Sequence, residues 1–181
     1  SFDTGLIETK EFQNQGKLSS AQNLKLFITH LKNEGEVEAQ TKTEFAGETF
    51  ENLGRDGKIF TTNGDLSLQS KTAIFNEGFI QCAGNGILET KTLSNRGEVY
   101  SDLKLTLKTG EVNNEGQFIG KAEFESDGDT FKNAGENSKI LTEGNLSFKS
   151  KFSILNEGKI KTHGKNFIST ERLSQKGRMS S

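Results

Sequence analysis

The sequence contains no proline and no tryptophan, and it has one cysteine and one tyrosine in 181 residues. Average usage of about 5% would give roughly nine prolines. Because proline has no backbone N–H to donate, its absence is typical of a chain dominated by continuous sheet hydrogen bonding. The single cysteine, Cys82, excludes an internal disulfide framework. The 20 glycines remain available for turns.

Hydrophobic content and net charge are also low. Hydrophobic residues make up 30% of the chain and the mean hydropathy is −0.65, which indicates a thin or repetitive core. The 23 basic and 25 acidic residues are mixed along the chain and leave a net charge of −2, so no broad field favours nucleic acid or an anionic membrane. We therefore expect no nucleic-acid partner. No apolar run approaches the roughly 18 residues of a membrane helix, and any targeting signal is expected to lie outside this sequence.

An Asn-x-Gly triplet recurs along the whole chain. Its first residue is Asn14, Asn33, Asn52, Asn76, Asn95, Asn114, Asn133 and Asn156 in turn. Its last residue is correspondingly Gly16, Gly35, Gly54, Gly78, Gly97, Gly116, Gly135 and Gly158. The step between successive triplets is 19, except for a step of 24 after Asn52 and one of 23 after Asn133, and a degenerate copy begins at Gln175. A fixed interval of this length indicates a repeat architecture.

A longer period lies above the triplet period. The two long steps begin at Asn52 and Asn133, and the segments that follow these residues are similar. The segments "LIETKEFQN" at 6–14, "ILETKTLSN" at 87–95 and "FISTERLSQ" at 167–175 return at the same longer interval. Four triplet units therefore form one super-repeat of about 81 residues.

Apolar residues keep fixed positions relative to each triplet. One stands two residues before the triplet and, in most units, another stands four residues after its start. Between these positions apolar and polar residues alternate, and a period of two indicates strands rather than helices. We expect the unit at 95–113 to bury the following side chains: Val99, Leu103, Leu105, Leu107 and Val112.

Short strands at this regular period predict an all-β fold, a right-handed parallel β-helix (β-solenoid) with about nine coils of about 19 residues each. Each coil should contain about three strands of roughly 3 to 5 residues around a narrow triangular core, and the rod should be about 40 to 45 Å long. Residues 1–181 are expected to form a single solenoid segment, cut inside a coil at both ends from a longer array. Open ends and edges of this kind predict end-to-end or edge self-association.

Stacked coils would give the triplet a structural role. Each asparagine would lie over its counterpart, so that its amide donates to the next amide oxygen in a buried ladder. The glycine two residues later would accept the positive φ of a corner. An unpaired buried amide costs about 1 to 3 kcal/mol, which favours asparagine at every rung, and the longer Gln175 should disturb the last rung.

The two long units predict protruding loops. In both, the apolar residue after the triplet is delayed by three residues, to Ile59 and Ile140. An insertion after Gly54 and Gly135 would account for this delay. The candidate contact surfaces are therefore the following residues: Arg55, Asp56, Gly57 and Lys58 in the first loop, and Glu136, Asn137, Ser138 and Lys139 in the second.

The triplet, its apolar neighbours and the alternating strand pattern resemble the repeats of filamentous haemagglutinin and related two-partner-secretion exoproteins, including the stalks of contact-dependent growth inhibition proteins. The resemblance implies export through an outer-membrane transporter partner and a location that is secreted or at a Gram-negative cell surface. It further implies a cell-surface receptor or a neighbouring cell as partner. On this basis the chain is expected to be a noncatalytic stalk or adhesive repeat segment.

Three other functions stay open: a stalk that delivers a toxin on contact, a carbohydrate-active parallel β-helix enzyme, and a structural filament with no specific receptor. A lyase or glycosidase needs clustered carboxylates, or acids beside basic residues, on one face. Glu8 and Glu89 occupy equivalent positions one super-repeat apart, but four coils would separate them by about 19 Å. The glutamates inside the triplets are interpreted as solvated turn residues: Glu34, Glu77, Glu115 and Glu157.

Other reactive residues are scarce. His30 and His163 stand at different positions relative to their triplets and should not share a metal. Cys82 takes a position held by serine, alanine or threonine in other units, which predicts a small core residue rather than a nucleophile. The "GNG" at 84–86 predicts a turn and lacks the context of a nucleotide loop. The sequence therefore predicts no catalytic residue, no metal and no cofactor.

Overall fold

The computed structural model describes residues 4–181, which form nineteen β-strands and no helix. Two parallel sheets, one of ten strands and one of nine, run through the molecule. Neighbouring strands in each sheet are two places apart along the chain, or three in the last coil, so successive turns of the chain stack on one another. The predicted β-solenoid of about nine coils is confirmed, and residues 1–3 of the predicted segment lie outside the described residues.

A long strand and the short strand that follows it make one coil. The sheet of long strands contains β1 Gly5–Asn14, β3 Asn23–Asn33, β5 Lys42–Asn52, β7 Asp65–Asn76, β9 Gly86–Asn95, β11 Lys104–Asn114, β13 Glu123–Asn133, β15 Asn145–Asn156, β17 Asn166–Ser169 and β18 Arg172–Gln175. The sheet of short strands contains β2 Lys17–Ser20, β4 Glu36–Ala39, β6 Lys58–Thr61, β8 Phe79–Cys82, β10 Glu98–Ser101, β12 Gln117–Gly120, β14 Lys139–Thr142, β16 Lys159–Thr162 and β19 Arg178–Ser180.

The core is a set of columns in which a side chain of each coil lies over its counterpart in the next coil. In β11, Leu105, Leu107 and Val112 are buried, whereas Lys108 and Glu111 are exposed. Each inward side chain is covered by the coils on either side of its own, because the sheets pair in register. A fully buried aliphatic side chain contributes about 1.5 to 3 kcal/mol. Stability therefore comes from stacking, since a single coil cannot cover its own inward face.

Phenylalanine rings contact one another inside this core. The ring centroids of Phe45 and Phe50 are 5.1 Å apart, and those of Phe131 and Phe148 are 4.7 Å apart, both in edge-to-face geometry. Such pairs contribute about 0.5 to 1.5 kcal/mol beyond their area burial. Because Phe131 and Phe148 belong to adjacent coils, ring contacts add to the hydrogen bonds that hold the stack together.

Every coil except the last holds two hydrogen-bonded strands, so the prediction of three short strands per coil is wrong for all but the last coil. In β11 the buried side chains run Leu105, Leu107 and Thr109, and then resume at Val112 and Asn114. The alternation skips one step because the chain turns a corner and the inward face changes parity there. Sheet pairing continues on both sides of this corner and joins two short runs into strands of 10 to 12 residues. In the last coil the same corner separates β17 from β18.

Leu103 is 48% exposed, contrary to its predicted burial. It lies in the bend between β10 and β11, before the alternation of β11 begins. The alternating pattern of the sequence continues across this bend. Alternation records which way the side chains point along a strand, and it does not record a change in chain direction. The other side chains predicted to be inside this unit are buried: Val99, Leu105, Leu107 and Val112.

The long units take up three of their extra residues at one corner. Glu36 pairs with Lys58, and Gln117 pairs with Lys139. In both pairs three more residues separate the partners than in a regular coil, where Lys17 pairs with Glu36. The three additional residues follow the triplet glycine in both units, as predicted. The core columns therefore continue unbroken past each insertion.

Candidate functional site

The eight triplet asparagines form one continuous ladder through the solenoid. Each side-chain amide donates to the amide oxygen of the asparagine in the next coil at 2.7 to 2.8 Å. Asn14, at one end, is 8% exposed, and the other seven are at most 1% exposed. Every interior rung therefore has a donor on one side and an acceptor on the other, which removes the cost of burying an amide.

The ladder also binds the backbone at its corner. Asn95 donates a second hydrogen bond to the Gln117 carbonyl at 3.0 Å, and Asn52 donates one to the Gly57 carbonyl at 3.0 Å. These bonds join the long strand that carries the asparagine to the turn or short strand beyond. The asparagines are scaffold residues, because their polar groups are directed into the stack and are not free to bind a ligand.

The last rung is altered as the sequence suggested, but it is not broken. Asn156 donates to the Gln175 side-chain oxygen at 3.3 Å, longer than the other rungs. The Gln175 amide donates to the carbonyl of its own Gly177 at 3.0 Å. The extra methylene of glutamine accounts for the displacement of its amide from the asparagine position.

Only two of the eight triplet glycines have a positive φ. The prediction that the triplet glycine is needed for a positive φ is therefore wrong for the other six. Gly54 and Gly135 have φ of 69° and 81°. In regular coils the requirement is space: a Cβ on Gly97 would lie 2.0 Å from the Gly78 carbonyl oxygen, and one on Gly116 would lie 2.1 Å from that of Gly97. Adjacent coils approach so closely at this corner that a side chain does not fit. The positive φ appears where the long units begin their insertions.

The first long-unit loop exposes part of its predicted contact surface. Arg55, Asp56 and Lys58 are exposed. Gly57 is buried and its carbonyl accepts the amide of Asn52 at 3.0 Å. Gly57 is therefore a scaffold residue, and its assignment to a contact surface is wrong.

The second loop has the same arrangement four coils further on. Glu136 and Asn137 are exposed and Lys139 is half-buried. Ser138 is 0% exposed and its hydroxyl donates to the Gly135 carbonyl at 2.8 Å, so it too contributes no contact surface. The two tips protrude from the same corner, about 19 Å apart by strand spacing.

β7 and β15 each carry a bulge that the sequence analysis missed. In both strands the pairing shifts by one residue, between Gln69 and Ala73 in β7 and before Ser153 in β15. A buried serine, Ser70 or Ser150, donates its hydroxyl to the carbonyl three residues later at 2.8 Å. The pairs at 71–72 and 151–152 are exposed and form two ridges. The signal in the sequence was the repeated "SKT" and "SKF" at these positions.

A groove of about 670 Å³ lies beside the first ridge. Its lining is polar and charged, and consists of Ser70, Lys71, Glu89, Thr90, Lys91, Lys108, Thr109, Gly110, Gly128 and Asp129. In the three coils between the ridges this corner is formed by Lys91, Gly110 and Asp129, without the added residue of the bulge. The groove is open and offers hydrogen-bonding groups without an enclosed apolar floor.

The outward face of the short-strand sheet carries an apolar trough. Tyr100, Ile119 and Leu141 are successive members of one column, and a depression of about 280 Å³ lies over them. The Tyr100 hydroxyl donates to Asp102 at 2.8 Å, and this hydrogen bond to a carboxylate raises the pKa of Tyr100 to about 12. The rim consists of Lys121, Thr142, Glu143, Lys161 and His163.

The carboxylates considered for catalysis are not brought together. Glu8 and Glu89 lie in the same outward column, with Phe27, Ala46 and Gln69 between them. Four coil steps, about 19 Å, therefore separate the two carboxylates. This distance is larger than either glycosidase mechanism uses.

The triplet glutamates take part in surface ion pairs. Arg96 lies 3.7 Å from Glu77 and 3.2 Å from Glu115, so that it joins the coils on either side of its own. The Lys32 ammonium, 2.7 Å from Glu34, together with two glutamine amides, lowers the pKa of Glu34 to about 2. These contacts are exposed, and exposed ion pairs contribute little to stability.

The histidines and the cysteine are separated. His30 lies 2.7 Å from the Thr49 hydroxyl on the long-strand sheet, whereas His163 lies at the rim of the trough. No group of three metal-ligating side chains occurs within residues 4–181. Cys82 is 1% exposed, and burial raises the pKa of its thiol to about 11, which leaves it protonated and a poor nucleophile at neutral pH.

The inward side chains of the last coil have a neighbouring coil on one side only. Leu173 is 51% exposed, whereas Ile154, its partner in the same column, is 2% exposed. The unpaired edges of β17, β18 and β19 are where the predicted end-to-end association would occur. That association stays a prediction.

The described part of the chain thus offers two loop tips, a polar groove and a trough as its distinct surfaces. Residues 4–181 contain no helix that could cross a membrane. No family model, no curated protein and no solved structure matches the chain.

Proposed function

We propose that the chain is a noncatalytic stalk or adhesive segment of a large bacterial surface or secreted exoprotein, and that it mediates contact with another cell. The observation that carries the proposal is the regular stack of about nine coils, with one buried asparagine ladder along its length. Each coil contacts only its neighbours, so the number of coils sets the length of the rod. Such a rod suits a part whose task is to hold other surfaces at a distance.

Variation between coils is concentrated at corners, which supports an adhesive role. The exposed tips Arg55–Asp56 and Glu136–Asn137 recur four coils apart, while the core columns beneath them continue in register. A partner that engages both tips at once would gain from a high effective concentration at the second tip. Loops held by a rigid scaffold are also where binding residues are commonly found.

The location and export route belong to the same proposal. The parent protein would be secreted or held at a Gram-negative cell surface, would cross the outer membrane through a dedicated transporter partner, and would meet a receptor on a neighbouring cell. The support for this part is the resemblance of the repeating triplet pattern to exoprotein repeats.

A bead-adhesion assay tests the adhesive role. Fluorescent beads coated with the chain are applied to bacterial and epithelial cells, with albumin-coated beads as the baseline. Replacing all four tip residues with serine, at Arg55, Asp56, Glu136 and Asn137, is expected to abolish binding above that baseline. The matched control replaces 71–72 and 151–152, the exposed ridge pairs, with serine and is expected to bind like the wild type.

Two outcomes would contradict the proposal. If the folded tip variant binds as well as the wild type, the tips are not the contact surface. If the purified chain releases reducing or unsaturated sugars from a panel of polysaccharides, the noncatalytic assignment is wrong. The circular dichroism spectra of the tip and ridge variants must match that of the wild type, so that a loss of binding is not a loss of folding.

A further inference from the structure

Unpaired positive charge is concentrated on one part of the short-strand sheet. Lys139 of β14, Lys159 of β16 and Arg178 of β19 are successive members of one outward column. Lys161 follows Leu141 in the neighbouring outward column, and Lys121 lies on the rim of the trough. We name these five cations, together with the apolar residues of the trough, the basic face.

None of the five cations of the basic face makes an ion pair with a residue in 4–181, a property that they share with other cations such as Lys91 and Lys108 on the long-strand sheet. On the same sheet near β2, Lys17 is paired with both Glu36 and Glu38. On the long-strand sheet, Lys104 is paired with Glu123 at 3.1 Å. Since pairing is common where lysine and glutamate share a column, an unpaired column leaves charge available to a partner.

Apolar side chains lie between the cations. Tyr100, Ile119 and Leu141 form the floor of the trough, in the column next to Lys139 and Lys159. The other side of the trough carries the exposed Lys121. A surface with an apolar centre and cations on both sides has the distribution found on proteins that lie in a lipid interface.

Three acidic groups are also on or beside this face. Glu98 lies in the column of Lys139, and Glu143 lies on the rim. Asp102 accepts the hydrogen bond of the Tyr100 hydroxyl. Five cations therefore face three acids, and the excess is greatest at β14, β16 and β19, away from Glu98 and Asp102.

We propose that the basic face binds an anionic lipid surface, with the rod lying on the membrane along its short-strand sheet. The sheet is held rigid by the stack, so all five cations reach one plane of headgroups without the entropy cost of ordering a flexible segment. The apolar centre favours a bilayer over a soluble polyanion, because only the bilayer offers an interface into which Ile119 and Leu141 can insert.

The net charge of −2 conceals this face, because charge of the opposite sign lies elsewhere on the rod. Each lysine or arginine near an anionic surface strengthens binding about fivefold, so removing two should weaken binding about 25-fold. The interaction should also weaken as salt is raised, because exposed charges are screened.

Vesicle co-sedimentation of the whole chain tests the proposal. Mixed vesicles of phosphatidylglycerol and phosphatidylcholine are compared with vesicles of phosphatidylcholine alone. We expect binding to the anionic vesicles only, with Lys159→Gln plus Lys161→Gln lowering it about 25-fold. The matched control, Lys91→Gln plus Lys108→Gln, removes two unpaired lysines from the long-strand sheet and should leave binding unchanged.

Two further variants separate lipid binding from general attraction to anions. Leu141→Gln should lower vesicle binding and leave binding to soluble heparin unchanged, whereas Glu143→Gln should raise binding to anionic vesicles. The proposal is overturned if neutral and anionic vesicles bind alike, or if both lysine pairs have equal effects. It is also overturned if Leu141→Gln has no effect while heparin or duplex DNA competes fully with the vesicles, since the face is then a general polyanion site.

Discussion

Replacing Asn114 with alanine should destabilise the solenoid by about 2 to 6 kcal/mol. Asn114 is 0% exposed, accepts a hydrogen bond from Asn95 at 2.8 Å and donates one to Asn133 at 2.7 Å. The substitution leaves an N–H of Asn95 and the side-chain oxygen of Asn133 buried without these partners. Each orphaned group costs about 1 to 3 kcal/mol, and the two together give the stated range.

The neighbouring Asn113 provides a matched control. Its amide donates to Glu115 at 3.0 Å, but its side-chain oxygen has no hydrogen-bond partner. Asn113→Ala therefore removes an unsatisfied group and leaves none behind, and we expect a change of no more than about 0.5 kcal/mol. The two variants differ by one position in the chain and remove the same atoms.

Urea unfolding followed by circular dichroism measures the difference, and hydrogen exchange locates it. Exchange is needed because a stack of coils can open in parts, so one midpoint does not describe every coil. In Asn114→Ala, amide protection should fall first in β9, β11 and β13. Equal unfolding midpoints for Asn114→Ala and Asn113→Ala would refute the claim that the ladder stabilises the stack.

Asn114→Asp tests the same bond through pH. A buried carboxyl favours its neutral form, so the pKa of Asp at this position should lie above its unfolded value of about 3.9. The protonated group can donate to Asn133, whereas the carboxylate cannot. Its stabilisation should therefore be fully present below about pH 3.9 and be lost as pH rises through the raised folded pKa. A stability deficit relative to wild type that is the same at acidic and neutral pH would contradict this.

Three other predictions concern the corner, the thiol and the surface. Gly97→Ala should prevent folding or cost several kcal/mol, because its Cβ would lie 2.0 Å from a carbonyl oxygen, whereas Gly16→Ala has nothing within 4 Å and should be neutral or stabilising by up to about 1 kcal/mol in thermal melts. Cys82 should resist a disulfide reagent at pH 8 and react fully in urea, because its pKa is raised to about 11 by burial. Glu34, whose pKa is lowered to about 2, should contribute a small stabilisation above its ordinary pKa of 4.5 that is lost as pH falls towards 2. An NMR titration of Lys32→Gln should show the Glu34 pKa moving upward.

The coil period could be predicted from sequence because each coil repeats both the residue pattern and the contacts that this pattern makes. Parallel sheets pair equivalent residues, so the interval that separates Asn14 from Asn33 in the sequence is also the offset between their paired strands. The ladder follows from the same interval, since a buried asparagine is favourable only beside another. These features depend on side-chain type and spacing, which a sequence displays directly.

Backbone geometry was less accessible. Leu103 fitted the alternation and yet lies in a bend, and Gly97 fitted a positive φ and is in fact required by a close approach between coils. Alternation does not record where the chain turns, and a glycine does not record which of its two advantages is used. The bulges at Ser70 and Ser150 add only one residue each and were absorbed into the longer unit lengths.

The basic face was hidden for a related reason. Lys139, Lys159 and Arg178 are unevenly spaced along the chain, and they form a column only after the three-residue insertion before Lys139 has been placed correctly. In a plain count of charges they are offset by acids on other sides of the rod. Surface sites on a solenoid depend on register across coils of unequal length, so they are harder to recognise in the sequence than the core is.

The ladder explains why unequal coils can stack without losing that register. Asn52 and Asn76 belong to a long unit, yet their hydrogen bond of 2.8 Å equals the one between Asn76 and Asn95, which belong to a regular unit. A shift of one residue would turn every following side chain of the strand to the opposite face and bury charged groups. The asparagine, bonded on both sides, returns each coil to the same phase whatever was inserted since the last one. Surface loops and ridges can therefore vary at the corners while the core stays unchanged, which is the property that a repeat array with changing contact surfaces requires.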